Sequence, residues 1–328
     1  MGREWFKRLF GKSKKNESKI EDEPAKAVAV SAPLQMPINA NSTIEKDKDL
    51  YLKVSFATDV GKRRANNEDN FYIDGKYRHN YGKNECDSYI ELTTETHLYS
   101  VFDGMGGEAF GETASALAAA RMEGMTDIFR TAASSDLPYY MNEYTRAAND
   151  AICDMCAERG SRGGSTFAAV CVKDGQAYPF YIGDSRIYLY DEGTLLQITE
   201  DQTLAVRKIK AGVYTADEAE NSPDHHRLTS FLGADSGGMG LDPQPCMPVP
   251  AKAGVKLLIC SDGLTDMCSR EEIAQTLSQT ADCKNAARVL AEKALKNGGM
   301  DNVTCIVLEF EELFGGIDED DCNIEEKE

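Results

Sequence analysis

The residues Leu98-Tyr99-Ser100-Val101-Phe102-Asp103-Gly104-Met105-Gly106-Gly107 set the tightest condition on how this chain folds. A β-prone apolar run ends at a carboxylate, and the glycine after it lets another piece of backbone come close. Asp103 therefore belongs at a strand end. A carboxylate taken out of water is costly unless it is paired or holds a metal, so the fold must bring it partners from elsewhere. A near copy occurs at Leu257-Leu258-Ile259-Cys260-Ser261-Asp262-Gly263, and Asp301 stands directly before the apolar run Asn302-Val303-Thr304-Cys305-Ile306-Val307. Singly, each acid has a simple explanation in turn chemistry, because Asp-Gly is a common turn pair. Together they can converge on one rim of a sheet.

Short apolar or alternating runs predict strands at Tyr51 to Thr58, Asn70 to Ile73, His97 to Phe102, Ser165 to Lys173, Ala177 to Gly183, Ser185 to Tyr190, Lys256 to Ser261 and Asn302 to Phe310. Helical spacing covers Glu112 to Phe129, Tyr139 to Glu158, Glu271 to Gln279 and Cys283 to Lys296. Strands and helices come in groups instead of strict alternation, which points to an α+β layered domain with two sheets. Asp74 to Thr96 reads as an extended hairpin.

With 328 residues and 41% hydrophobic content, the chain has enough apolar material for one large domain plus tails. Its net charge of -19 argues against nucleic acid as a partner, since affinity there comes from cancelling phosphate charge. Residues 1–49 combine a basic amphipathic stretch (Trp5, Phe6, Leu9 and Phe10 among Arg3, Lys7, Arg8, Lys12, Lys14, Lys15 and Lys19) with a disordered linker. Contact of residues 1–20 with an anionic membrane surface or an acidic partner is one reading of that stretch, and a solvated tail is the other. The folded domain is expected over 50–310, with an acidic disordered tail over 311–328. No apolar run of spanning length or signal-peptide core is present, so a cytoplasmic protein, peripheral at most to the inner membrane surface, is expected. Among ten cysteines, Cys153 and Cys156 form a CxxC, but no second pair completes a zinc site.

Oxygen ligands without clustered His or Cys suit hard cations such as magnesium or manganese. Two ions bridged by one carboxylate lower the pKa of a shared water and place it in line with a phosphoester. A second segment, Thr58-Asp59-Val60-Gly61-Lys62-Arg63-Arg64-Ala65-Asn66-Asn67-Glu68-Asp69, offers a basic residue for a phosphate and two acids to orient metal-bound waters. No HCx5R arrangement for a cysteine phosphatase is present.

The chain resembles the metal-dependent Ser/Thr protein phosphatases of the 2C type, in the DGMGG form of their bacterial branch. The likeness runs from about Leu50 to Glu309. It rests on Asp59, Gly61, Arg64, Asn67, Glu68 and Asp69, on Asp103 to Gly107, on Gly183-Asp184-Ser185-Arg186, on Ser261-Asp262-Gly263 with Asp266, and on Asp301-Asn302. The resemblance implies a four-layer αββα sandwich with two central, mainly antiparallel sheets flanked by helices. It also implies that Asp103 bridges two Mn2+ or Mg2+ ions, that the Gly104 carbonyl ligates one, and that Asp262 and Asp301 ligate the other. Arg64 then takes the substrate phosphate, while Glu68 and Asp69 act through metal waters. Asp184 and Asp266, with Asp262, match positions of a weaker third metal. By their own surroundings, Asp184 equally fits a hairpin turn and Asp266 a helix cap.

Some positions depart from the family pattern. Met105 stands where animal relatives carry a histidine proposed as general acid, and Glu108 and Gln202 replace histidines common in bacterial relatives. None of His79, His97, His225 and His226 is placed by motif to substitute. Residues 202–245 resemble the family's flap beside the cleft. The expected activity is hydrolysis of phosphoserine and phosphothreonine in proteins phosphorylated by a Ser/Thr kinase, carried out by a monomer. The alternatives are a catalytically silent sensing or docking module and a dedicated regulatory phosphatase for one partner protein.

Overall fold

Strands with unbroken apolar runs must be covered on both faces, and successive side chains point to opposite sides, so each strand feeds two cores at once. A computed structural model describes residues 50–78, 84–92, 95–106, 110–234, 241–280 and 285–312. Along it run β1 (Leu50–Asp59), β2 (Asn70–Ile73), β3 (Lys76–Tyr77), β4 (Glu85–Leu92), β5 (His97–Phe102) and β6 (Gly104–Met105), then α1 (Phe110–Glu123), α2 (Thr126–Thr131) and α3 (Leu137–Arg159). There follow β7 (Gly164–Ser165), β8 (Phe167–Lys173), β9 (Gln176–Ile182), β10 (Arg186–Asp191), β11 (Thr194–Gln197), α4 (Leu204–Lys210) and α5 (Ala216–Glu220). The chain closes with β12 (Gln244–Pro245), β13 (Val249–Pro250), β14 (Lys256–Cys260), α6 (Asp262–Thr265), α7 (Arg270–Gln279), α8 (Ala286–Lys296) and β15 (Val303–Glu312).

One sheet has the order β11-β10-β14-β15-β1-β4, and the other has β12-β9-β8-β5-β2-β3 with β13 also on β9. Their pairings are antiparallel. Between the sheets Leu52, Val54 and Phe56 meet Tyr99, Val101, Leu257, Ile259 and Ile306. The opposite faces of the same strands feed the outer cores. Leu98 and Phe102 of β5 pack under α1 and α3, while Leu258 and Cys260 of β14 pack under α7 and α8. The result is the expected αββα sandwich.

Several element expectations shift. The helix expected over Glu112 to Phe129 breaks at Gly124 and Met125, where glycine withdraws helical preference. Thr166 separates β7 from β8, because β7 leaves the sheet to pair with β6. Asp74 to Thr96 is no hairpin: β3 pairs with β2 in one sheet and β4 with β1 in the other. β11 was not expected; it follows a turn in which Glu192 and Gly193 have φ of 47° and 83°. β15 continues through Glu311 and Glu312, residues that composition assigns to the tail, and Glu311 accepts a hydrogen bond from Lys53 at 2.6 Å. Residues 1–49, the acids beyond Glu312, and Gly107, Glu108 and His79 lie outside the described residues. Among the described residues no helix is long and apolar enough to cross a membrane.

Candidate active site

Antiparallel pairing decides which acids meet. Cys260 sits opposite Cys305 and Asp59 opposite Val303, so the end of β14, the start of β15 and the end of β1 share one edge of their sheet. The end of β5 brings Asp103 to that edge from the other sheet. A cavity of about 640 Å³ opens there, and Arg64, Glu68, Asp103, Gly104, Asp184, Asp262, Asp266 and Asp301 all line it. Asp69 alone of the sequence-predicted site residues lies outside its lining. It is 1% exposed and its carboxylate accepts a hydrogen bond from Ser261 Oγ at 2.7 Å.

The site is electrostatically strained in one direction. Burial, reinforced by the charge of Asp262 and then by Asp69, Asp184 and Asp301, raises the Asp103 carboxyl well above the ordinary range. Burial and Asp262 likewise raise Asp184, and bring Asp266 up to about 6. Burial brings Asp69 to about 7. Burial also opposes the charge of Asp262, but the neighbouring His226 and Asp103 side chains hold its carboxyl below the usual value. Arg64 Nη2 donates to Asp301 Oδ2 at 2.5 Å from a half-exposed side chain.

Gly104 sits in a cradle that excludes any side chain. A Cβ there would stand 2.3 Å from the Gly111 carbonyl oxygen and 2.4 Å from that of Glu68. Bare backbone at this point is what permits Gly104 to line the cavity. The Asp103 backbone is fixed from both sides, its N–H donating to Thr166 Oγ1 at 2.9 Å and its carbonyl accepting from Thr166 N at 2.9 Å.

A layer behind these residues holds them, and part of it was not legible in the sequence. Asn302 Nδ2 donates to the carbonyls of Val60 and Asn66 at 2.9 Å each, and its Oδ1 accepts from Glu68 N at 2.7 Å, so one amide ties the Arg64 loop to Asp301. Asp184 does not sit in a hairpin, because β9 and β10 belong to different sheets. Gln202 pins that crossing through Gly183, accepting from its N–H at 2.9 Å and donating to its carbonyl at 3.0 Å. Arg186 next to it grips Asp201 with contacts of 2.6 to 3.1 Å. Asp266 follows α6 as its C-cap residue and faces the cavity.

His226 lines the same cavity, with Nδ1 3.8 Å from Asp262 Oδ2 and 3.9 Å from Asp266 Oδ2. The Asp262 carboxylate, with Asp266 beyond it, pulls the imidazole up to about 9. No local motif marks this histidine. It arrives through the bridge between Thr203 and Leu228, a contact between residues distant along the flap-like segment.

The donors are mostly carboxylates, with His226 beside Asp262 and Asp266 and without a thiolate, so the set fits hard divalent ions. Their mutual repulsion gives the physical reason: like charges crowded in a recess favour either protonation or a cation. A cavity with that demand and a guanidinium at its rim can bind a phosphate monoester beside the ions.

A family model described as Protein phosphatase 2C matches residues 77–297. Serine/threonine protein phosphatase PstP of Mycobacterium tuberculosis is 33% identical over 261 residues, which span 79% of this chain but 45% of PstP, less than half of that relative. Protein phosphatase PhpP of Streptococcus pneumoniae is 29% identical over 263 residues, 80% of this chain and 98% of PhpP. The crystal structure of the PstP catalytic domain in complex with two manganese ions matches with a TM-score of 0.63 at 32% identity, covering 80% of this chain and 99% of that one.

Proposed function

The chain belongs to the protein phosphatase 2C family, and from that membership we propose that it hydrolyses phosphoserine and phosphothreonine esters in proteins, with two bound Mn2+ or Mg2+ ions. The observation that carries this reading is the single cavity shared by Asp103, Asp262, Asp301 and Arg64. Asp103 would bridge the ions, the Gly104 carbonyl would ligate one, and Asp262 and Asp301 the other. Asp184 and Asp266, with Asp262, would hold a weaker third ion. When bound, such a pair supplies Lewis-acid stabilisation and a water of lowered pKa.

The chain's own residues do the rest. Arg64 binds the substrate phosphate in two-pronged fashion, which a guanidinium does better than an ammonium. Glu68, on the cavity wall, would orient waters around the ions. Asp69 acts one step further back, holding Ser261 and so the turn that presents Asp262. Met105 has no proton to donate, so a metal-bound water or bulk water would protonate the departing alkoxide. The substrates are proteins phosphorylated by a Ser/Thr kinase and the enzyme acts as a cytoplasmic monomer, with the basic residues of 1–20 resting on anionic lipid. Flotation with anionic vesicles checks this last point: binding should vanish when Lys7, Arg8, Lys12, Lys14 and Lys15 become Gln.

Hydrolysis of p-nitrophenyl phosphate and of a phosphothreonine peptide, measured with Mn2+ and with EDTA, tests the main reading. Turnover should require the metal. Metal-independent hydrolysis, or none with Mn2+, overturns it.

A further inference from the structure

A second cavity of about 750 Å³ adjoins the catalytic one, and Met105 and Gly106 line both. Its remaining walls include Cys153, Cys156 and Ala157 from the last turns of α3, together with Arg162 and Phe231. Its volume lies within the roughly 300–1,000 Å³ typical of ligand pockets. None of the hydrolytic roles above uses these walls.

The walls are fixed to the catalytic apparatus. Leu232, next to Phe231, exchanges backbone hydrogen bonds with Ser165 at 2.9 and 2.8 Å, and Ser165 pairs with Gly104 across β6 and β7. The Phe231 ring lies over Gly164, where a Cβ would meet its Cδ2 at 2.6 Å. Gly233 N donates to Asn149 Oδ1 of α3 at 2.8 Å, and Gly163 N donates to Cys156 Sγ at 3.2 Å. The second cavity therefore keeps a set distance from the Gly104 carbonyl and the residues around it.

Its chemistry differs from that of its neighbour. Asp154 and Arg162 are exposed members of its wall, while the remaining methionine, phenylalanine, alanine and thiol surfaces reward burial of an apolar side chain, and methionine adapts to several shapes. An extended peptide advances about 3.3 Å per residue, and because Met105 and Gly106 wall both cavities, a residue flanking the phosphorylated one is the nearest candidate for the second.

We propose that this cavity is a specificity subsite that takes a large apolar side chain flanking the phosphorylated residue of a protein substrate. The proposal rests on the phosphatase reading, names the substrate class for it, and commits to an occupant because the two cavities share Met105 and Gly106 as a common wall. A well-made apolar pocket discriminates by about 10-fold to 200-fold.

The test is a panel of phosphothreonine peptides with Leu or Ser at each flanking position, assayed with Mn2+ beside p-nitrophenyl phosphate, which is too small to span both cavities. In the wild-type protein, kcat/KM should favour one Leu-flanked peptide over its Ser counterpart by about 10-fold or more. Phe231→Ser removes a wall, and Ala157→Trp fills the cavity from an exposed helical position that tolerates the change. Both should bring the ratio near one while leaving p-nitrophenyl phosphate turnover unchanged. A flat panel with wild-type protein that turns over p-nitrophenyl phosphate overturns the subsite. So does a preference that survives in both variants. Failure of the wild type on p-nitrophenyl phosphate is separate, since it overturns the phosphatase reading and the subsite with it.

Discussion

Asp103 concentrates the problem that the whole site solves. Its carboxyl is raised by burial and by the charge of Asp262, so its ionised form needs a cation. Asp103→Asn removes that charge while keeping the side-chain volume, and Mn2+-dependent turnover should fall by about 10³-fold, the several kcal/mol such stabilisation provides. Circular dichroism should show an unchanged fold, and turnover near the wild-type rate would contradict the assignment. Arg64 makes a different contribution. Replacing it by Ala should lower kcat/KM by about 10-fold to 100-fold, the worth of hydrogen bonds to a charged group, and Lys should restore only part of it. Full rescue by Lys would show that a point charge suffices.

At the scale of elements, the turns that present the acids are stiff because other backbone packs directly on them. A Cβ at Gly263, beside Asp262, would stand 1.8 Å from the Asn302 carbonyl oxygen. Gly263→Ala should therefore cost about 1–3 kcal/mol and lower Tm by several degrees in a thermal melt. An unchanged Tm would mean that α6 and the start of β15 yield easily. The same packing explains what could be read beforehand. Asp103, Asp262 and Asp301 are legible because each borders an apolar run, and a strand end is a local property. The two-faced burial of β5 and β14 is legible for the same reason. His226, Asn302's bridging amide and Gln202's grip on Gly183 are not, since each depends on a contact between segments far apart in the chain. The division of residues 74–96 between two sheets escapes local reading too, because edge strands carry weak patterns and their partners are non-local.

For the molecule as a whole, a net charge of -19 and a recess of carboxylates leave the fold working against its own repulsion at one end. Anything that binds the native site and not the unfolded chain stabilises by mass action, about 2.7 kcal/mol at a hundredfold excess over Kd. Mn2+ should therefore raise Tm by several degrees, with EDTA reversing the gain, as a melt at fixed ionic strength would show. No shift would imply that the acids do not form a cation site. The central claim, that acids from separate strands form one binding centre for paired ions, is tested most directly by counting metal. Equilibrium dialysis against Mn2+ should give about two tightly held ions per chain for the wild type and fewer for Asp103→Asn. Equal stoichiometry in both proteins, or no tight binding in either, would contradict it.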